Sequence, residues 1–328
     1  MTTFVDLFCG GGFGARGAVM GGGKPLLGLD AWELATQTYK ANFPEADVIT
    51  DRIENVDISE LGEMYRPDVL LTSPECTSHS IARGAKPGSE RSRETAMGIV
   101  PWIEAMGPRW VIVENVNRMK KWQRHNELVD TIEQFGYTVS DLYLNSADFG
   151  GAQARRRMFL VCDKEGTRVS AEQLKAVVKQ APKMARDIID WSGCYKSAPL
   201  YRTGRAQATL QRAERAIAAL GRGVPFIIVY YGSDYAGGWQ TVDVPLRTIT
   251  TIDRFGLVTW NGDVPYLRML QPSELLRAMG AGTKHELPYG SRREKVKLCG
   301  NGVCSDVMVA IFRWIQIQQN ELQVLAVD

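Results

Sequence analysis

Few folds accommodate an apolar strand that runs straight into a glycine-rich turn, as Phe4-Val-Asp-Leu-Phe-Cys-Gly-Gly-Gly-Phe-Gly14 does here. Glycines permit the left-handed dihedrals of such a turn and let backbone amides approach a ligand closely. A G-x-G-x-x-G spacing at Gly12, Gly14 and Gly17 follows the strand and opens a helix expected over 14–20. The alternation continues through the first half of the chain. Strands are expected at 25–29, 47–49, 69–72 and 110–113, helices at 32–42 and 128–135, then paired strands at 138–144 and 157–161. This order predicts an α/β fold on a doubly wound, mostly parallel sheet. Ligands of such sheets collect beyond the carboxyl ends of the strands.

After residue 163 the pattern loosens. Short helices are expected at 171–179 and 209–219, a strand at 225–231, and two closing helices at 272–279 and 305–318. The 328 residues divide accordingly into a catalytic and cofactor-binding domain (1–165), a basic insert (166–260) and a C-terminal segment (261–328) returning to the first domain. No stretch approaches the ~20 apolar residues that span a bilayer. The first apolar run contains Asp6 and lacks the basic flank of a signal peptide, so a cytoplasmic protein is expected. The cysteines Cys9, Cys76, Cys162, Cys194, Cys299 and Cys304 form no C-x-x-C pair and read as reduced thiols. Net charge is only +2, but its distribution is uneven. Arg202, Arg205, Arg212, Arg215 and Arg222 crowd one stretch where Glu214 is the sole acid, and Arg118, Lys120, Lys121 and Arg124 make a second cluster. Such runs are either solvated faces or an electrostatic footprint for nucleic acid.

Polar residues close several strands. Asp30, ending the second, stands where an acid would hydrogen-bond ribose hydroxyls, and Asp51, ending the third, could accept from an adenine amino group. The fourth strand runs Val69-Leu-Leu-Thr-Ser-Pro-Glu-Cys-Thr77, placing the Cys76 thiol at the same sheet edge, and Glu114 follows the fifth. A lone cysteine there is either an apolar filler or a nucleophile.

Six motifs in this order resemble those of the DNA (cytosine-5) methyltransferase family, in its bacterial and phage form. They are Asp6-Leu-Phe-Cys-Gly-Gly-Gly, the Ser-Pro-Glu-Cys76 run, Glu114-Asn115-Val116, Gln153-Ala-Arg-Arg-Arg157, Arg247-Thr-Ile-Thr250 and Gly300-Asn301. The resemblance implies a Rossmann-like S-adenosylmethionine-dependent fold with a smaller target-recognition domain. It implies a cofactor site of Phe8, Gly10, Gly12, Asp30, Ala31, Asp51, Arg52, Pro74 and Asn301, and catalytic roles for Cys76, Glu114, Arg155 and Arg157. Methylating carbon 5 of cytosine requires making that carbon nucleophilic, and a thiolate adding at carbon 6 does so. Glu114 would hydrogen-bond ring nitrogen 3 and the amino group. Gln153, Arg155 and Arg157 alternate along a strand and share one face; by resemblance they position the base, the sugar-phosphate and the Cys76 loop. Residues 77–98, with Arg83, Lys86, Arg91 and Arg93, resemble the family's loop that closes over DNA once the target base is flipped out.

The chain departs from the family at Glu75, where proline is usual, and at Thr77, where glutamine is usual. Glu75 either raises the thiol's pKa by like-charge repulsion or faces away. The partners expected are double-stranded DNA and a companion restriction endonuclease, with a monomer as the default and a nucleoid-associated location in a prokaryotic or phage-infected cell. Three alternatives stand beside this reading: cytosine-5 methylation of tRNA, a catalytically silent DNA-binding relative, and a nicotinamide-dependent oxidoreductase built on the glycine turn and Asp30.

Overall fold

The computed structural model describes residues 1–74, 96–117, 119, 124–231 and 237–325. The first half runs β1 (Thr2–Leu7), α1 (Phe13–Met20), β2 (Gly23–Asp30), α2 (Glu33–Asn42), β3 (Asp47–Thr50), α3 (Ile58–Met64), β4 (Val69–Thr72), α4 (Val100–Met106), β5 (Trp110–Asn115), α5 (His125–Gln134), β6 (Thr138–Asn145), β7 (Gln153–Ala154) and β8 (Arg156–Asp163). Seven of these strands form one sheet in the order β3-β2-β1-β4-β5-β8-β6. Pairings from β3 through β5 are parallel, and β8 lies antiparallel to both β5 and β6. The doubly wound expectation holds.

Strands covered on both faces read as continuous apolar runs. In β4 and β5 every residue is buried. Alternate side chains feed two separate cores: Phe4, Leu71, Trp110 and Ile112 enter one, while Val5, Leu70, Val111 and Val113 enter the other. Connections leave β1 and β4 in opposite directions, so their carboxyl ends flank the topological switch point where such sheets bind ligands.

The second half runs α6 (Ala171–Val178), α7 (Ala185–Ile188), β9 (Ala198–Pro199), α8 (Gln207–Leu220), β10 (Phe226–Val229), β11 (Trp239–Thr241), β12 (Leu246–Arg247), β13 (Phe255–Asn261), β14 (Val264–Met269), α9 (Pro272–Ala278), α10 (Arg292–Asn301) and α11 (Ser305–Leu325). A smaller sheet, β11-β10-β13-β14-β9, is antiparallel throughout. Helix α8 covers it, with Ala213 and Ala216 packed on Phe226, Ile228 and Val258. The boundary expected at 260 falls inside β13, because its hairpin with β14 carries the small sheet on to Met269.

Helix α11 closes the larger sheet by packing on α1. A side chain at Gly17 would run into the Ser305 carbonyl and meet Met308 at 2.7 Å, so this glycine permits helix–helix contact rather than ligand approach. The stretch Arg292–Asn320 carries a window of mean hydropathy 1.3, apolar enough to cross a bilayer by length and composition. This differs from the reading of the sequence, which found no such stretch. The window is 72 % buried inside the fold, as a core helix would be.

Candidate active site

Where the chain leaves β1 the backbone turns left-handed, at Phe8 (φ 58°), Gly10 (φ 52°) and Gly12 (φ 82°). Glycine takes such values freely, whereas for Phe8 the conformation costs on the order of 1–3 kcal/mol and must be held by its surroundings. One holder is Asp30, whose carboxylate oxygens accept the Gly10 N–H at 2.9 Å and the Trp32 N–H at 2.8 Å. Another is Ser73, whose hydroxyl donates to the Phe8 carbonyl at 3.1 Å.

The turn forms one wall of a cleft whose lining includes Asp6, Phe8, Cys9, Gly10 and Ser73, faced by Asn301, Gly302 and Val303. Phe8, Gly10 and Asn301 therefore meet at one cavity. Asp30 buttresses it through Gly10, with Ala31 exposed beside it. Gly12 caps α1, and a side chain there would collide with Phe43 at 2.6 Å. Asp51 and Arg52 stand beyond β3 and are bonded locally: the Asp51 carboxylate accepts from Asn55 and from the Arg52 N–H, each at 2.7 Å. Arg52 pairs with Glu54 at 3.3 Å.

In the sequence Asp6 stands out only as part of a motif, yet its carboxyl lines the cleft. It is 3 % exposed. Burial first, and then the charge of Asp30, push its pKa well above the usual carboxylate range. The Cys9 thiol is raised by burial and then by the charges of Asp6 and Asp30. The signal for Asp6 is a carboxylate in the middle of an otherwise apolar strand.

Glu114 lies within β5 rather than beyond it, at the carboxyl edge of the sheet. Its carboxyl is buried, which raises its pKa, while the charges of Arg157 and then Arg155 pull it down. Glu114 Oε1 lies 3.2 Å from Arg157 Nε but has no hydrogen-bond partner among the described residues. Next to it, Asn115 donates to the Pro74 carbonyl at 3.1 Å. Asn115 thus fixes the chain two residues before Cys76. Cys76 itself, Glu75 and Thr77 lie outside the described residues, as do Arg83, Lys86, Arg91, Arg93, Arg118, Lys120 and Lys121.

Gln153, Arg155 and Arg157 alternate with the exposed Ala154 and Arg156, as their spacing predicts. They do different things. Gln153 accepts the Ile249 N–H at 2.8 Å. Arg155 is 3 % exposed. It donates to the carbonyls of Ile249 (3.0 Å), Gly300 (2.9 Å) and Gly302 (3.0 Å). A side chain at Gly300 would strike the Thr250 backbone, so the 247–250 element and the end of α10 are in direct contact. Of the three, Arg157 makes an ion-pair contact with Glu114, at 3.2 Å from Nε, while the Arg155 charge also acts on that carboxyl. In the insert, Arg205, Arg215 and Arg222 donate to the backbone carbonyls of Leu200 (3.2 Å), Gly237 (3.1 Å) and Asp263 (3.0 Å). Arg212 lies 5.8 Å from the Tyr230 ring centre. Tyr230 and Trp239 pack against the small sheet's core.

A family model described as C-5 cytosine-specific DNA methylase matches residues 2–317. The Type II methyltransferase M.HgiDI of Herpetosiphon aurantiacus is 25 % identical over 195 residues, covering 58 % of this chain and 60 % of that protein. The human tRNA (cytosine(38)-C(5))-methyltransferase is 24 % identical over 162 residues, covering 48 % and 41 %. The chain spans about half the length of the curated relatives it matches. Among solved structures, the Dnmt2 methyltransferase of S. pombe superposes with a TM-score of 0.70 over 98 % of this chain and 100 % of its own, at 14 % identity, a likeness of fold.

Proposed function

The chain belongs to the C-5 cytosine-specific DNA methylase family, and from that footing we propose that it transfers a methyl group from S-adenosylmethionine to carbon 5 of cytosine in duplex DNA. The observation that carries this reading is the pairing of a buried Glu114–Arg157 site with the glycine-turn cleft at one edge of one sheet.

The cleft fits that cofactor. Asp6 lines the cleft, with the Asp30 carboxylate behind Gly10, and a ligand that carries positive charge would favour the charged form of Asp6 that burial penalises. Phe8, Gly10, Asp30, Ala31 and Asn301 would hold it, with Gly12 shaping the turn, Pro74 at the mouth, and Asp51 and Arg52 toward the base. When bound, it supplies an electrophilic methyl group. The protein's own contribution is to make carbon 5 reactive. The Cys76 thiolate adds at carbon 6 while the carboxyl of Glu114, whose pKa burial raises, donates a proton to ring nitrogen 3. After transfer, the proton on carbon 5 leaves to water, elimination breaks the carbon 6–sulfur bond to return the thiolate and the double bond, and ring nitrogen 3 gives its proton back to Glu114. Arg157 positions Glu114 and the base, and Arg155 holds the frame behind them.

The 166–260 segment, with its hairpin extended to Met269, would read the target, and residues 1–165 and the C-terminal helices would do the chemistry. A monomer, a companion endonuclease and nucleoid association belong to the same proposal.

Covalent trapping tests it. Duplexes carrying 5-fluorocytosine at varied sites, incubated with S-adenosylmethionine, are expected to give a denaturation-resistant adduct with wild type and none with Cys76→Ser, because fluorine does not leave as a proton does. No adduct, together with no methyl transfer to genomic DNA, would sink the DNA reading. Methyl transfer to tRNA in that case would support the second reading, which the similarity to a tRNA enzyme keeps in view.

A further inference from the structure

Lys297 Nζ stands 4.1 Å from the centre of the Trp32 ring, within the ~6 Å over which an aromatic face holds a cation. Neither residue is among those lining the cleft, but each belongs to a segment that borders it. Trp32 follows Asp30 and Ala31 at the end of β2, and its N–H donates to the Asp30 carboxylate that also receives Gly10. Lys297 lies on α10, one helical turn before Asn301, which lines the facing wall. Helix α10 reaches the glycine turn directly, since a side chain at Gly11 would meet Leu298 at 3.3 Å. The neighbouring acid on that helix, Glu294, accepts from the Ser291 N–H and hydroxyl at 2.8 and 2.7 Å in an N-terminal cap.

We propose that Lys297 and Trp32 form a clasp across the mouth of the cleft that slows release of the bound nucleoside cofactor. The inference rests on the cofactor reading above. The clasp closes beside Asp30 and Ala31, where the ribose is proposed to sit, so the nucleoside leaves only when the ammonium lifts from the ring. Lys297 is a positioning residue: it acts through Trp32 and takes no part in methyl transfer. The contact joins segments far apart in sequence, and the spacing of either segment alone does not reveal it.

Dissociation of S-adenosylhomocysteine from the full chain, followed by stopped flow, provides the test. Lys297→Met keeps most of the stem and removes the charge; it is expected to raise the off-rate about fivefold, in keeping with a cation–π contact of ordinary strength. Lys297→Arg is expected to restore the wild-type rate, and Trp32→Phe to lie between. The combined Lys297→Met, Trp32→Leu variant should be no faster than Trp32→Leu alone, because either change opens the clasp. A contact that merely pins α10 would instead lower the melting temperature and leave the off-rate unchanged. That result, or additive effects of the two substitutions on the off-rate, overturns the clasp alone. A wild-type protein with no affinity for S-adenosylhomocysteine overturns the cofactor reading and the clasp with it.

Discussion

Glu114 carries the proton in the proposed chemistry, and its surroundings decide the pH at which it works. Burial raises its pKa, and Arg157 followed by Arg155 lower it. Donation to ring nitrogen 3 needs the protonated form, so transfer is retained below that raised pKa and falls as pH climbs through it. Removing the Arg157 charge lets the pKa rise further. The Arg157→Met variant should therefore move the falling limb of kcat to higher pH even as kcat drops, and a limb that stays in place would rule out the coupling. Glu114→Gln should cost roughly 100-fold or more in kcat, the usual scale for a positioned acid, with S-adenosylhomocysteine affinity unchanged. Glu114 and Asp30 are legible in the sequence because polar residues at strand ends are conspicuous. Asp6 shows in the sequence only as a carboxylate within an apolar strand; that it lines the cleft depends on where the 301–303 segment lies across from β1.

Among the elements, α11 begins with a carboxylate in an unfavourable place. Asp306 packs against Gly280 and Gly151, and Oδ2 has no hydrogen-bond partner among the described residues. Burial raises its pKa to about 6, partly offset by Lys183. A carboxyl raised in the fold favours folding while protonated in both states. That advantage is lost as pH rises from the ordinary carboxylate range through about 6. Asp306→Asn should then stabilise the protein by about 2–3 kcal/mol at pH 8, since each tenfold change in proton affinity between the folded and unfolded chain is worth ~1.4 kcal/mol, and by little near pH 4. Equal melting temperatures of variant and wild type at pH 8 would contradict this. The elements that the sequence hides are hidden for physical reasons. Helix α10 buries only Val296, Leu298, Cys299 and Gly300, too short an apolar stripe to show a period, although Ser291 and Glu294 have capping-box spacing. The β13–β14 hairpin has its signal in Gly262-Asp263, a two-residue loop with Gly262 at φ 55°, which is faint beside the looser pattern around it.

Across the whole molecule, Arg155 links the segments on the two sides of the sheet edge. Its guanidinium ties the 249 carbonyl, on the side from which the insert returns, to the 300 and 302 carbonyls beside the glycine-turn cleft. The sequence puts Arg155 and Arg157 on one face, and that much is visible in their alternation. Only the fold shows that one guanidinium faces a carboxyl while the other faces carbonyls from two distant segments. The distinction gives opposite expectations for the same chemical change. Lysine has one compact ammonium in place of a planar fork, so Arg155→Lys cannot reach all three carbonyls and leaves buried acceptors without partners. It should lower stability by about 1–3 kcal/mol for each orphaned group at most, and weaken S-adenosylhomocysteine binding by displacing Asn301 and Gly302. Arg157→Lys keeps a cation beside Glu114 and touches none of those carbonyls. It should leave melting temperature and cofactor affinity near wild type while kcat falls. Thermal unfolding and calorimetric titration of the two variants separate the roles. If Arg155→Lys lost only kcat, with stability and affinity intact, Arg155 would be acting at the base, and the frame linking target side to cofactor side would need another keystone.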